Sequence, residues 1–339
     1  MTAYFLLVMT ALVFALGATP VARQTARRFG VLAQPSARKI HTNPMPLLGG
    51  SVIYLAFVLA LVLLGNRFYV KQVVSIFVGA TLVSLLGLWD DRLGLGPLAK
   101  LAGQLLAATI VAMTDVRIGL LRVPALNLIA TLLWIVLITN AVNLLDNMDG
   151  LAGGVAAIAS AFFLLFAVMS GQYLVGALAA ALLGACLGFL VYNLNPASIF
   201  MGDTGSLFIG FVLSIVGIKL RFPDNVDIVT WMVPVLVLGV PLFDTTLVII
   251  SRLRRGLNPL TAAGKDHVSH RLVALGYTQR EAVLILYLVG GALGVVAVFI
   301  TEATVAEGYV AGAVIGLAGL WGIWRMERVP NVYESKQAH

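Results

Sequence analysis

The chain has 339 residues, 60% of them hydrophobic and 11% charged, with a formal net charge of +7 and a mean hydropathy of +1.00. Water-soluble domains usually carry about 25% charged residues, and a chain of this length cannot hide so much apolar surface in one aqueous core, so its solvent is largely lipid. The positive charge suits anionic lipid or phosphate; the basic residues are spread over loops, which argues against nucleic acid.

In lipid every backbone polar group must pair internally, which leaves helices or a closed barrel. Barrel strands alternate apolar and polar residues, whereas these runs are apolar on all sides. Their length of about 17 to 23 residues is what a helix needs to cross roughly 30 Å of hydrocarbon. An all-α bundle of about eleven spans is predicted, at about 3–20, 47–65, 71–89, 98–114, 125–143, 153–170, 174–192, 205–220, 228–250, 282–300 and 306–324. The first run has no basic segment before it and is followed by Arg23, Arg27 and Arg28. That is the pattern of a retained span with its N-terminus outside, not of a cleaved signal. Cys186 is the single cysteine, so no intrachain disulfide forms.

The alternating loops divide the 22 Lys and Arg residues into 16 on one side and 6 on the other. The excess marks the first side as cytoplasmic. On it lie loops 21–46, 90–97, 144–152, 193–204 and 251–281, and the C-terminus. Residues 1–339 read as one integral-membrane domain with those five loops building the active site.

The same side gathers Asp90, Asp91, Asp146, Asp149, Asp203 and Asp266. Ionisable groups at the edge of an apolar body call for a partner. In chain order, the first cluster is Arg38-Lys39-Ile40-His41, followed by Pro44, Pro46 and Gly49-Gly50; the bland alternative is a positive-inside anchor. The second, Asp90-Asp91-Arg92, ends the third span. Neighbouring helical residues point about 100° apart, so both carboxylates meet one ligand only where the helix stops, and Gly94 and Pro97 supply a stop. Lys100 and Gln104 follow at i and i+4.

Asn140, Asn143, Asp146 and Asp149 recur every three residues and predict one polar face. Asn143 and Asn147 would satisfy one another if that face were only structural. Asn193 and Asn195-Pro196 lead to Gly202-Asp203-Thr204-Gly205-Ser206, where Asp203 or Thr204 would serve as an N-cap, or a fresh helix N-terminus would seat phosphate. Asp244 lies deep in the ninth span, as a hydrogen-bond hub or a cavity-lining group. The longest cytoplasmic loop carries Lys265-Asp266-His267-Val268-Ser269-His270-Arg271, an i, i+3 imidazole pair in a basic setting suited to a diphosphate.

Hard oxygen donors favour Mg²⁺, with Mn²⁺ as the alternative, over zinc. Acids for a metal, cations for phosphates and a lipid-facing body together point to a nucleotide diphosphate meeting a lipid phosphate at the inner surface. Asp90-Asp91, Asn143-x-x-Asp146-x-x-Asp149-Gly150, Asn193-x-x-Pro196 running to Gly202-Asp203, and His267/His270 resemble the polyprenyl-phosphate N-acetylhexosamine-1-phosphate transferases, in order and over nearly the whole chain.

The resemblance implies ten or eleven helices, often a dimer, and transfer of a sugar 1-phosphate, most readily GlcNAc-1-phosphate, from a UDP-sugar to undecaprenyl phosphate. UMP would leave, and the reaction would be the first membrane step of a cell-envelope glycan pathway. It implies Asp203 as Mg²⁺ ligand and Asp90 and Asp91 as the catalytic pair. Asn143, Asp146, Asp149 and Asn193 would hold nucleotide and sugar, and His267 and His270 the diphosphate. Lys100, Lys39 and His41 would hold the lipid phosphate. A phosphate monoester, with second pKa of about 6, is largely dianionic at neutral pH and needs little help from a base, which favours direct attack by the lipid phosphate.

The muramoyl-pentapeptide branch, the nearest alternative, carries three consecutive His in its last cytoplasmic loop. His-Val-Ser-His here is closer to the N-acetylglucosamine-1-phosphate branch. Leu47 also stands where the first loop of the family often has Arg. A transporter would place ionisable groups near the midplane and show repeats. A CDP-alcohol phosphotransferase needs Ala-Arg soon after Asp-Gly, where this chain reads Leu151-Ala152-Gly153.

Overall fold

The structure is a computed structural model that describes residues 1–33, 44–64, 70–259, 262 and 264–329. It is helical almost throughout. The helices are α1 (Thr2–Arg28), α2 (Gly49–Leu64), α3 (Val70–Leu93), α4 (Pro97–Ala112), α5 (Pro124–Leu145), α6 (Leu151–Met169), α7 (Tyr173–Asn193), α8 (Gly202–Lys219), α9 (Asp227–Thr230), α10 (Met232–Val237), α11 (Gly239–Arg254), α12 (Val268–Ala274), α13 (Gln279–Glu302) and α14 (Val305–Met326). Two short antiparallel strands, β1 (Leu32–Ala33) and β2 (Met45–Pro46), pair Leu32 with Pro46 and Ala33 with Met45.

Among the described residues, eight helices are long and apolar enough to cross a membrane, or nine when the bent α9–α11 segment counts as one. The α2 and α4 helices, at 16 residues each, are shorter than the roughly 20 residues of a full crossing. The chain is therefore a multi-pass membrane protein, and among the described residues the eleven predicted spans correspond to eight full-length helices, one bent pair and two shorter apolar helices.

Three predicted boundaries are corrected. The α1 helix runs on to Arg28 with Pro20 inside it. The α3 helix continues through Asp90 and Asp91 to Leu93, so these neighbours diverge on a helix and do not meet at its end. The predicted span 228–250 is broken and turns by 75° between Val237 and Gly239. Pro241 has no N–H to give the carbonyl of Val237, one turn back, so the helix restarts there. Capping boxes open α13 (Thr278 with Glu281) and α14 (Thr304 with Glu307).

The α8 helix is the hub, with every residue from Thr204 to Ile218 buried. It packs against α2, α3, α5, α6 and α7, while α1 packs on α2 and α7. Its neighbours approach backbone to backbone. A Cβ added at Gly50 would strike the backbone of Gly205, and one at Gly87 would strike Asp203 and Thr204. Several hydroxyls inside the bundle are absorbed by carbonyls one turn back, as Thr139 by Ile135 (2.6 Å) and Ser214 by Phe211 (2.6 Å). The α14 helix lies at the periphery and exposes Val310, Val314, Leu317 and Trp321, the surface expected of a lipid-facing helix.

Candidate active site

The site forms where the N-terminus of α8 meets α3, α4 and α5. Gly87 lets α3 touch the start of α8, and Asp91, one turn further on, reaches that helix end. Its carboxylate accepts from the N–H of Asp203 (2.8 Å), the N–H of Thr204 (3.1 Å) and the Thr204 hydroxyl (2.7 Å). Gly202, at φ +64°, stands where any Cβ would strike the Asp91 carboxylate. The cap of α8 is thus imported from another helix, and neither Asp203 nor Thr204 supplies it.

That cap turns the Asp203 side chain toward α4 and α5. Its carboxylate accepts from Lys100 Nζ and from Asn143 Nδ2 (3.0 Å), and Asn143 also donates to Ser206 Oγ (2.8 Å). Asp90 accepts from the Leu95 N–H (2.5 Å) and from Lys100 (2.9 Å). The ammonium of Lys100 therefore lies between Asp90 and Asp203. One turn along both helices, Gln104 and Asn140 exchange amide hydrogen bonds of 3.3 and 2.5 Å and hold α4 against α5.

The predicted polar face of α5 divides at its end, because the helix stops at Leu145. Asp149 accepts from Asn195 Nδ2 and the Ala197 N–H, both at 3.0 Å. Asn193 accepts from the Gly150 N–H (3.1 Å) and donates to the Ile199 carbonyl (2.9 Å). These two side chains tie the α5–α6 and α7–α8 turns together. Asn147 does not pair with Asn143; it donates to the Leu144 carbonyl (2.9 Å) and accepts from Ser269 (2.6 Å). The Asp146 carboxyl has no hydrogen-bond or ion-pair partner among the described residues. Burial first, then the nearby Asp203, Asp91 and Asp149 carboxylates, push its carboxyl up to about 8.

The long loop between α11 and α13 folds over this group as α12. Asp266 pairs with Arg252 (3.2 Å) and Arg255 (2.6 Å). Arg271 bonds Ser251 Oγ (2.7 Å), Glu327 (2.6 Å) and the Met326 carbonyl. Asp244 proves to be a hub: it meets His267 Nδ1 at 2.8 Å and the Val268 N–H at 2.7 Å. His270 lies beside His267, ring centroids 6.0 Å apart. Burial, then His267 and Lys265, push His270 down to about 4, so it is neutral at pH 7.

One cavity of about 480 Å³ collects Asp90, Asp91, Asp146, Asp149, Asn193, Asp203, His267 and His270. Lys100 and Asn143 bind Asp203 at its edge. Lys39 and His41 lie outside the described residues. Lys265, Gln279 and Leu47 also line the cavity; Gln279 opens α13 and carries no motif signal in the sequence. Ser206 lies within the Gly202–Ser206 motif but is distinguished there only by its bond to Asn143.

Among the described residues no three His, Cys, Asp or Glu side chains form a ready metal cage. Mg²⁺ does not require one, since it commonly takes one or two carboxylates with substrate phosphates and water. Asp146, a carboxyl with no partner facing the same cavity as Asp203, gives an oxygen-only donor pair that fits such an ion.

Comparisons with known proteins identify the family. The profile of glycosyl transferase family 4 matches residues 73–221. The chain is 38% identical over 298 residues to a probable undecaprenyl-phosphate N-acetylglucosaminyl 1-phosphate transferase of Bacillus subtilis, covering 85% of this chain and 82% of that one. It is 34% identical over 317 residues to a decaprenyl-phosphate N-acetylglucosaminephosphotransferase of Mycolicibacterium smegmatis, covering 83% and 78%. It is 31% identical over 299 residues to a phospho-N-acetylmuramoyl-pentapeptide-transferase of Bacillus cytotoxicus, covering 80% and 89%. The order of the motifs, their convergence on one cavity and relatives that share most of the chain lead to one conclusion: this protein belongs to glycosyl transferase family 4, the polyprenyl-phosphate N-acetylhexosamine-1-phosphate transferases.

Proposed function

We propose that the chain transfers GlcNAc-1-phosphate from UDP-GlcNAc to undecaprenyl phosphate at the cytoplasmic face of the cell membrane, giving undecaprenyl diphosphate-GlcNAc and UMP. The observation that carries the reading is the single cavity in which Asp90, Asp146, Asp203 and the His267/His270 helix converge. The identity to N-acetylglucosamine-1-phosphate transferases supports the sugar, and the 16 to 6 bias in basic residues supports the face.

An oxygen of the lipid phosphate attacks the phosphorus that bears the sugar. The bond from that phosphorus to the bridging oxygen breaks, and the oxygen leaves with UMP. Asp203 and Asp146 would hold Mg²⁺, which neutralises charge developing on the phosphates. Lys100 has three N–H donors and, among the described residues, gives two to Asp90 and Asp203, which leaves the third for the acceptor phosphate. Asn143 steadies Asp203, while Asp149 and Asn193 hold the turns that frame the nucleotide and sugar. Purified protein with undecaprenyl phosphate, Mg²⁺ and a panel of UDP-sugars should release UMP only with the lipid acceptor present, and fastest with UDP-GlcNAc. Faster release with the muramoyl-pentapeptide donor would reassign the substrate.

A proton linkage follows from Asp146. Its carboxyl is protonated at neutral pH in the metal-free protein and must ionise to ligate a cation. Mg²⁺ affinity should therefore rise with pH, by up to about tenfold per unit below pH 8 for one linked proton. The sign for stability is opposite. The folded state holds this proton more tightly than the unfolded chain does, so metal-free protein loses stability as pH rises from about 4 to 8. Calorimetric Mg²⁺ titrations in two buffers of different ionisation enthalpy would measure the proton released. Release that persists in Asp146→Asn would assign it to another group.

A further inference from the structure

Asp244 is fully buried, nearly three turns before the end of α11 at Arg254. A carboxylate there is costly unless both oxygens are bonded, and here both are used on two consecutive residues. Oδ1 accepts the Val268 N–H at 2.7 Å and Oδ2 faces His267 Nδ1 at 2.8 Å. The nearest arginine on the same helix, Arg252, is committed to Asp266 and the Pro259 carbonyl. The carboxylate therefore has one task, to hold the first residues of α12.

A carboxylate carries no hydrogen, so His267 Nδ1 must donate, and Nε2 is the ring nitrogen left for a ligand. His267 lines the cavity beside Lys265 and His270. We propose that Asp244 is a positioning residue that fixes the His267 ring, so that Nδ1–H is held by the carboxylate and a hydrogen on Nε2 is presented to the diphosphate of the nucleotide sugar. The proposal rests on the transferase reading above and adds to it an orienting group within the membrane. It also separates the two imidazoles. His267 has a carboxylate behind it and carries the charge-assisted bond, whereas His270 lacks one, is held neutral and contributes a neutral contact.

Asp244→Asn keeps the size and the acceptor for Val268 but presents an NH₂ to Nδ1. The ring hydrogen then moves to Nε2 and the ring stays neutral, so a charge-assisted bond becomes an ordinary one. With the full chain, the KM for UDP-GlcNAc should rise about tenfold and the KM for undecaprenyl phosphate should not move. His267→Gln should raise the same KM, and the double variant should be no worse than His267→Gln alone. Additive losses, or equal changes in both KM values, would mean that Asp244 only supports the fold, and would overturn the proposal.

Nitrogen-15 spectra of the histidines give a readout independent of activity. Wild-type His267 should carry a hydrogen on Nδ1 whether or not Nε2 also bears one, and Asp244→Asn should leave the ring with a hydrogen on Nε2 alone. A wild-type ring protonated on Nε2 alone overturns the role of Asp244, even if the variant does not accumulate as folded protein. The expected change of tautomer with no change in the KM for UDP-GlcNAc overturns the diphosphate role of His267 instead.

Discussion

Asp203→Asn is expected to lower metal-dependent transfer by at least about a thousandfold, the scale on which losing one charge-stabilising group acts in a water-poor site. The protein should remain folded. Asparagine still accepts the Asn143 hydrogen bond, and Asp91 still binds the backbone N–H of residue 203. What is lost is a negative charge shared with Lys100 and facing Asp146. UMP release at saturating Mg²⁺ and an apparent Tm in the same detergent would separate the two effects. Wild-type rates at ordinary Mg²⁺ would remove Asp203 as the principal metal ligand, whereas a rate restored by raising Mg²⁺ would assign the loss to ion affinity and not to turnover. The Lys100 contact adds a subsidiary expectation. Without Asp203 the ammonium keeps only Asp90, so the KM for undecaprenyl phosphate should change along with kcat, whereas a pure loss of metal would act on kcat.

The polar clusters around Asp90, Asn143 and Asp203 were legible because each sits at the end of an apolar run, where an acid or amide without a purpose is expensive. Their convergence was legible too, since charge bias in the loops puts Asp90, Asp146, Asp203 and His267 on one side. What each side chain binds was not legible. Asp91 reaches α8 only because Gly87 and Gly202 allow two backbones to touch, a tertiary approach with no periodic signature. The stripe from Asn140 to Asp149 promised one face, yet α5 ends at Leu145 and sends its members to four destinations. Gln104 was visible only as a neighbour of Lys100, and its bond to Asn140 depends on the crossing of α4 and α5. The break at Gly239 was hidden because Val-Pro-Val and Val-Pro-Leu are apolar enough to read as continuous hydrocarbon. Asp244 could be recognised as costly from its depth, but its partner lies 23 residues away beyond a turn.

The adjacent acids Asp90 and Asp91, alike in sequence, should behave differently on substitution. Asp91 accepts three hydrogen bonds from the first turn of α8. Asparagine there retains one acceptor and turns an NH₂ toward backbone donors. Leaving such donors unmet costs about 1–3 kcal/mol, so Asp91→Asn should lower the apparent Tm by several degrees and shift Asp203 at the same time. Its loss of activity would then come through misplacement of the metal ligand, and Mg²⁺ affinity should fall with it. Asp90 accepts one backbone N–H and the Lys100 ammonium. Asp90→Asn keeps the first bond and weakens only the second, so the Tm and Mg²⁺ affinity should stay near wild type while turnover falls by about a hundredfold or more. Of the pair, Asp90 is then the group beside the acceptor phosphate and Asp91 the group that aims Asp203. Equal losses of turnover with unchanged Tm and Mg²⁺ affinity in both variants would restore a symmetric catalytic pair and remove the cap from the mechanism.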